Sequence, residues 1–159
     1  MLNQVQIQLV ESKVLAVQRI CYAMLLGLLF GAICLSSIAN WNNISMRIDA
    51  LSIIGIVLGT SNFVLSLFIP TLIAQNQRQS INKGPNHESK LEKLADVFQS
   101  KILFQFVLLE CGSLLNVILF LPTSNLILLG IAACGLSAIA FAIPKTDSVL
   151  EWLTDQLNF

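Results

Sequence analysis

The chain has 159 residues, of which 55% are hydrophobic and only 11% charged, and its mean hydropathy is +0.77. A soluble domain of this size needs more polar surface, so the composition excludes an ordinary soluble fold and predicts a single-domain integral membrane protein. The formal net charge is zero, although the basic residues are unevenly distributed along the chain.

Four apolar segments are long enough to cross a bilayer as helices, and the only charge within them is Glu110. They are residues 20–39, 51–74, 102–121 and 125–144. At about 1.5 Å per residue, about twenty residues cover the roughly 30 Å hydrocarbon core, where backbone groups must be satisfied within a helix. The segments are apolar on all sides, which favours lipid over the interior of a soluble bundle. The prediction is an all-α, four-transmembrane-helix bundle over residues 20–144, whose first segment is a retained span and no cleaved signal peptide.

Residues 1–19 precede the first span and change from alternating apolar residues to a helical spacing at Val10, Val14 and Val17. This pattern predicts a cytoplasmic amphipathic helix that lies near the membrane surface and runs into the first span. A short strand in the alternating part stays as the alternative.

The central loop, residues 75–101, is polar in its first half. Ser89 and Glu92 then have the spacing of a capping box, so the third helix is predicted to begin near Lys90 and to project about three turns outside the membrane. Residues 122–124 predict a tight hairpin between the third and fourth spans.

Residues 145–159 begin with a second capping-box pattern, at Ser148 and Glu151. Apolar residues follow at helical spacing, which predicts a short amphipathic helix at the cytoplasmic interface. Trp41 and Trp152 follow the ends of spans, where indole rings favour the interface.

Of the nine Lys and Arg residues, eight lie beside the termini or in the loop of residues 75–101, and only Arg47 lies on the other side. The positive-inside rule therefore predicts a multi-pass protein of the cell membrane (a bacterial inner membrane or plasma membrane) with both termini in the cytoplasm. The lysines of the loop alternate with acidic residues, so no nucleic-acid surface is predicted.

Glu110 lies near the middle of the third span, and Ser113 and Asn116 follow it at steps of three. Asn62 lies at a similar depth in the second span. An intramembrane carboxyl group is a candidate functional residue. These four residues form the candidate polar or ion site, in which we expect a protonated Glu110 that donates a hydrogen bond to Asn62 or to another acceptor near the bilayer midplane. Structural cohesion of the helices is the alternative role.

Gly27 and Gly31 in the first span, and Gly55 and Gly59 in the second, are spaced four residues apart, which favours close helix packing. The four cysteines form no CxxC pair and none adjoins His87, the single histidine. The sequence thus predicts no metal site, no cofactor and no catalytic residues.

Two resemblances accompany these patterns. The first rests on Gln18–Ile20 before Gly27–Ala32, Leu65–Ile73 with Pro70, Phe98–Lys101 leading to Leu108–Glu110, and Ile143–Thr146 before Val149 and Trp152. Over nearly its whole length the chain resembles an uncharacterised bacterial family of small four-span inner-membrane proteins, which implies fold and location and no activity. The second is local: Leu103–Leu121, with Glu110, resembles the carboxylate-bearing helix of rotary ATP synthase proteolipids, and Arg78-Gln79 is similar to their cytoplasmic loop.

Two functional hypotheses result. The first is a non-enzymatic structural or interaction protein, such as an accessory subunit, whose partners are the lipid bilayer and a second copy or another membrane protein. The second is a protein that translocates a proton, a cation or a small molecule through Glu110. A membrane enzyme ranks third, because the sequence lacks a catalytic constellation.

Overall fold

The computed structural model describes residues 4–39, 41, 44–81 and 87–157. Within them the chain forms five helices: α1 (Gln4–Ile38), α2 (Ala50–Ile81), α3 (His87–Thr123), α4 (Leu126–Ala142) and α5 (Thr146–Leu157). The only β-type pairing in these residues is an isolated bridge between Ser45 and Asn125. The predicted all-α class is therefore confirmed.

Three of these helices are long and apolar enough to cross a membrane. α1, α2 and α3 contain 35, 32 and 37 residues, so each is about 50 Å long or more and exceeds the hydrocarbon thickness. α4 has only 17 residues. It passes the same test only together with α5, from which it is separated by a 67° bend. The structure thus contains three candidate spans, or four if this bent pair is one.

α3 lies at the centre and packs against each of the other four helices. The backbones of α1 and α2 do not approach each other within the described residues. The apolar core between α1, α3 and α4 is formed by Val17, Cys21, Leu28, Ile102, Phe106, Leu109 and Ile139. The membrane helices therefore flank a central α3 in place of a closed four-helix ring.

A second apolar core packs α5 against one end of α1 and one end of α3. These are the ends that carry most of the charged residues of the two helices. We call this core the α5 cluster: Val10, Val14, Leu91, Leu94, Val149 and Leu153, all buried. At its edge the Nζ of Lys13 lies 2.6 Å from the Oδ1 of Asp96. Trp152 stacks at its rim between Phe98, with ring centroids 5.4 Å apart, and the Arg78 guanidinium, 5.6 Å from the indole centroid.

This cluster corrects the predicted placement of both terminal helices. Residues 4–19 continue into α1 without a break, and their apolar face at Val10 and Val14 contacts protein. The apolar face of α5, at Val149 and Leu153, is likewise covered. Because these faces are already buried, neither helix has them available for insertion into the bilayer surface.

Both predicted capping boxes are wrong, because α3 begins at His87 and α5 at Thr146, two residues before Ser89 and Ser148. In α5 the backbone N–H of Val149 donates to the carbonyl of Lys145 (3.1 Å), which places the start of the helix at that carbonyl. A tight turn at Ser124 and Asn125 joins α3 to α4, whereas Pro122 and Thr123 of the predicted hairpin belong to α3. α3 ends at Thr123, and Ser124 turns the chain with a φ of 50°.

Candidate functional site

The second and third spans approach most closely where glycines face each other. A Cβ atom on Gly112 of α3 would lie 3.1 Å from the Cβ of Asn62 and 3.6 Å from the carbonyl oxygen of Gly59 in α2. One turn away, a Cβ on Gly55 would lie only 2.7 Å from a methyl group of Leu128. α2 and α3 can come this close because Gly55, Gly59 and Gly112 have no side chains.

Asn116 of α3 fills the space next to Gly55 and Gly59 of α2 and is fully buried. Its Nδ2 donates to the carbonyl oxygen of Gly112 at 2.8 Å, so one amide hydrogen is satisfied within α3. Its Oδ1 has no hydrogen-bond partner among the described atoms. A Cβ on Gly55 would lie 3.2 Å from this oxygen. Asn116 thus acts as a spacer between α2 and α3 and retains an unused acceptor.

Ser113 is 2% exposed, and its Oγ is the other buried side-chain atom without a partner in the described chain. Other hydroxyls in these helices bond to a carbonyl three or four residues earlier: Thr60 to Ile56, Ser66 to Phe63 and Ser137 to Ala133. Ser113 Oγ instead lies against the α4 backbone, where a Cβ on Gly135 would collide with it. An unsatisfied buried hydroxyl costs about 1–3 kcal/mol.

A cavity of about 650 Å³ opens between α2, α3 and α4 beside this hydroxyl. Four glycines contribute to its wall (Gly59, Gly112, Gly130 and Gly135), and the remainder is apolar apart from Thr60, Cys134 and Ser113. A Cβ added at Gly130 would meet nothing within 4 Å. At Gly59, Gly112 and Gly135 an added Cβ would meet a neighbouring side chain, so only Gly130 leaves open space at the wall, and no charged group lines the cavity.

Glu110 lies outside this cavity. Phe106 and Leu114, one turn before and after it, face α1: Phe106 belongs to the core with Val17, and Leu114 reaches within 4.0 Å of a Cβ on Gly31. Glu110 is therefore on the α1 side of α3, because residues four apart share a helix face. Its side chain is partly exposed and makes no hydrogen bond or ion pair within the described part of the chain.

The four predicted polar residues are thus only partly brought together. Asn62 and Asn116 both lie at the contact between α2 and α3, and Ser113 faces α4. Glu110 is directed away from Asn62, so the expected hydrogen bond between them is absent. The separation arises because Asn62 packs against Gly112, two residues and about 200° around the helix from Glu110.

The predicted packing glycines also differ from one another. Gly55 and Gly59 lie at the close approach described above, whereas a Cβ on Gly27 would meet nothing within 4 Å of the described atoms. Gly31 would reach only Leu114, at 4.0 Å. The close contact expected at Gly27 is therefore absent from the described residues, because α1 turns this face outward and uses Val17, Cys21 and Leu28 for packing.

No protein-family model matches this chain, and comparison with curated proteins and with solved structures found no significant match. The resemblances to the four-span bacterial family and to the proteolipids stay predictions. Among the described residues, no group of three or more His, Cys, Asp or Glu side chains is placed to hold a metal ion.

Sequence reasoning missed a polar clamp at the opposite end of the bundle from the α5 cluster. Asn125, fully buried, caps α4 by accepting from Ile127 N–H at 2.9 Å. Its Nδ2 donates to the carbonyl of Arg47 (3.1 Å) and to the hydroxyl of Ser52 (3.0 Å). An Asn directly before an apolar run is an N-cap signal that was present in the sequence.

Asp49 completes the clamp by capping α2, since its Oδ1 accepts from the backbone N–H of Ser52 at 2.7 Å. Hydrogen bonds from the Ser52 side chain and backbone hold the pKa of Asp49 below its ordinary value. The segment before α2 is thereby fixed to the turn between α3 and α4.

Proposed function

We propose that this chain is a four-span protein of the cell membrane with both termini in the cytoplasm, and that it works as a non-enzymatic interaction or accessory subunit. The observation that carries the proposal is the α5 cluster. Its buried residues join α1 and α3, which run on from the membrane, to α5. We call α5 and the adjoining ends of α1 and α3 the platform. Because a buried apolar core holds these helices together, the platform presents a defined surface, which suits protein–protein recognition.

The location of α5 supports an even number of crossings. α5 packs on the same ends of α1 and α3 that carry Val10 and Leu91. The start of α4 is at the other end, where Asn125 bonds to the segment before α2. α4 therefore runs from one end of the bundle to the other, and its 17 residues reach the lower limit of length for a span.

The distribution of charge supports the orientation. Of the nine Lys and Arg residues, eight lie at the end of the bundle where α5 packs or in the adjacent loop, and Arg47 lies at the opposite end. This asymmetry is what the positive-inside rule requires of a cytoplasmic platform.

The geometry gives less support to the hypothesis of ion translocation. A carboxylate site needs further oxygen or nitrogen groups around the ion, and Glu110 lies apart from Asn62, Ser113 and Asn116. The proposal of a non-enzymatic role rests on the sequence, in which the single histidine offers few arrangements of nucleophile and base.

The topology is tested by reporter fusions after Gln79, after Leu157 and after Asn43. We expect cytoplasmic signals from the first two and an external signal from the third. A fusion after Leu157 that reports the outside would leave only three crossings and would refute the four-span proposal.

The interaction role is tested by photo-crosslinking in native membranes. A photoreactive residue replaces Glu151, exposed on the platform, and a matched control replaces Phe141, a membrane-helix residue that is 91% exposed. We expect a discrete protein adduct from position 151 and none from position 141. No adduct from position 151, at native abundance, would overturn the interaction role.

A further inference from the structure

We propose that the cavity between α2, α3 and α4 is a binding site for a neutral, lipid-soluble molecule that carries a carbonyl group, and that Ser113 donates a hydrogen bond to it. This inference rests on the membrane placement of α2, α3 and α4 proposed above and is independent of the proposed interaction role. It rests on the shape of the cavity, on its one unused donor and on its depth in the membrane helices.

The cavity has the size and wall of a ligand site. Its volume of about 650 Å³ falls within the roughly 300–1,000 Å³ of small-molecule pockets, which are mostly apolar with a few polar groups. It is partly open, and its wall is formed by residues of α2, α3 and α4. Since these are membrane helices, the opening faces lipid, and only a lipid-soluble molecule reaches it.

Ser113 supplies the polar contact. Ser113 lines the cavity, and its hydroxyl oxygen is almost fully buried and has no partner among the described atoms, whereas the Thr60 hydroxyl in the same wall donates to the carbonyl of Ile56. A ligand with an acceptor oxygen satisfies this hydroxyl. A charged ligand is disfavoured, because the wall contains no charge to balance it.

The depth of Ser113 in the bilayer determines which kind of lipid-soluble molecule can reach it. Ser113 lies ten residues before Thr123, the end of α3, and therefore about 15 Å from that end of the helix, near the bilayer middle. The ester carbonyls of a phospholipid are held at the membrane surface by the headgroup and do not reach this level. The carbonyl must belong to a molecule that moves freely within the hydrocarbon layer.

The experiment uses the full chain reconstituted in vesicles of phosphatidylcholine and phosphatidylglycerol. The probe is benzophenone, a neutral aromatic ketone that attaches to nearby C–H bonds under ultraviolet light. Labelled peptides are identified by mass spectrometry. We expect saturable labelling confined to the cavity walls of α2, α3 and α4. Labelling that never saturates, or that spreads equally over the exposed face of α1, would overturn the proposal.

Two glycine variants provide a matched pair. Gly130→Phe places a ring at the cavity wall, where an added Cβ meets nothing, and Gly27→Phe places the same ring on the outward face of α1, which is equally open. Neither should lower thermal stability. We expect Gly130→Phe to reduce saturable labelling at least tenfold and Gly27→Phe to leave it unchanged. Equal labelling of the two variants would show that the cavity is not the site.

The role of Ser113 is tested by competition with fluorenone and fluorene, which differ in one carbonyl group. In the wild type, fluorenone should compete about threefold to tenfold more strongly, the range expected for one hydrogen bond, and Ser113→Ala should abolish the difference. Equal competition by the two compounds in the wild type would refute the carbonyl contact and assign the cavity to plain hydrocarbon chains.

Discussion

Adding a single methyl group at Gly59 tests whether the contact between α2 and α3 is as close as described. In Gly59→Ala the new Cβ collides with the Asn116 amide and comes within 3.0 Å of Ile131. Asn116 cannot easily yield, because it is fully buried and hydrogen-bonded to Gly112. Overpacking of this kind costs about 1–3 kcal/mol.

Gly27→Ala is the matched control, because the same methyl group there meets nothing within 4 Å. Both changes replace a helical glycine and so share a gain of about 1 kcal/mol in helix propensity. The difference in the free energy of unfolding between the two variants therefore isolates the collision. We expect Gly59→Ala to be less stable than Gly27→Ala by about 1–3 kcal/mol, measured by reversible unfolding in mixed detergent micelles.

A double-mutant cycle identifies the colliding group. In Gly59→Ala with Asn116→Ala, the new methyl group enters space that the amide has left, so the two changes together should cost less than their sum by at least about 0.5–1 kcal/mol. Strictly additive free energies, or equal stability of Gly59→Ala and Gly27→Ala, would refute the described approach of α2 and α3.

Three other perturbations address the two ends of the molecule. Leu153→Ala, at a fully buried position, should cost about 2–5 kcal/mol and speed hydrogen exchange in α5, whereas Leu15→Ala, at an exposed position, should change neither. Asn125→Ala removes the α4 cap and two further bonds, and should cost about 2–3 kcal/mol by thermal or detergent unfolding. The pKa of Asp49 is lowered on folding by Ser52, so its stabilising contribution is complete above the ordinary pKa and is lost as the pH falls through the folded value. Between about pH 6 and pH 3, Asp49→Asn should lose less stability than the wild type.

Each of these has an outcome that contradicts it. Unchanged exchange in α5 of Leu153→Ala would mean that this side chain does not hold α5 to the cluster. Ser137→Ala removes only a bond within its own helix, and Asn125→Ala should be clearly less stable than this control. If the stability of Asp49→Asn and of the wild type falls in parallel as the pH is lowered, the Asp49 cap does not stabilise the protein.

The sequence predicted the helices well because the apolar runs leave the backbone few alternatives to helix. It predicted the partners of those helices poorly. Gly27 and Gly59 have the same local pattern, yet only Gly59 meets another helix closely. The pattern shows that a close approach is sterically allowed, while the faces that meet depend on packing between segments distant in the chain.

The terminal helices show the same limit. The apolar stripe of α5 was predicted correctly, but such a stripe fits a membrane surface and a protein surface equally well. Pairing with Val10 and Leu91, far away along the chain, decided between them. The orphan hydroxyl of Ser113 was equally unpredictable, since its exclusion from the usual bond to its own helix depends on Gly135.

The central position of α3 has a consequence for the order in which the protein assembles. Because the backbones of α1 and α2 do not approach each other in the described residues, these two helices have little to hold them together before α3 is synthesised. Each would remain surrounded by lipid, or by an insertion factor, until α3 emerges and provides a surface for both. α5, which is synthesised after these helices, then packs beside Val10 and Val14 of α1. Final assembly therefore awaits the synthesis of α5, and chains truncated before α5 should expose apolar surface to quality-control proteases.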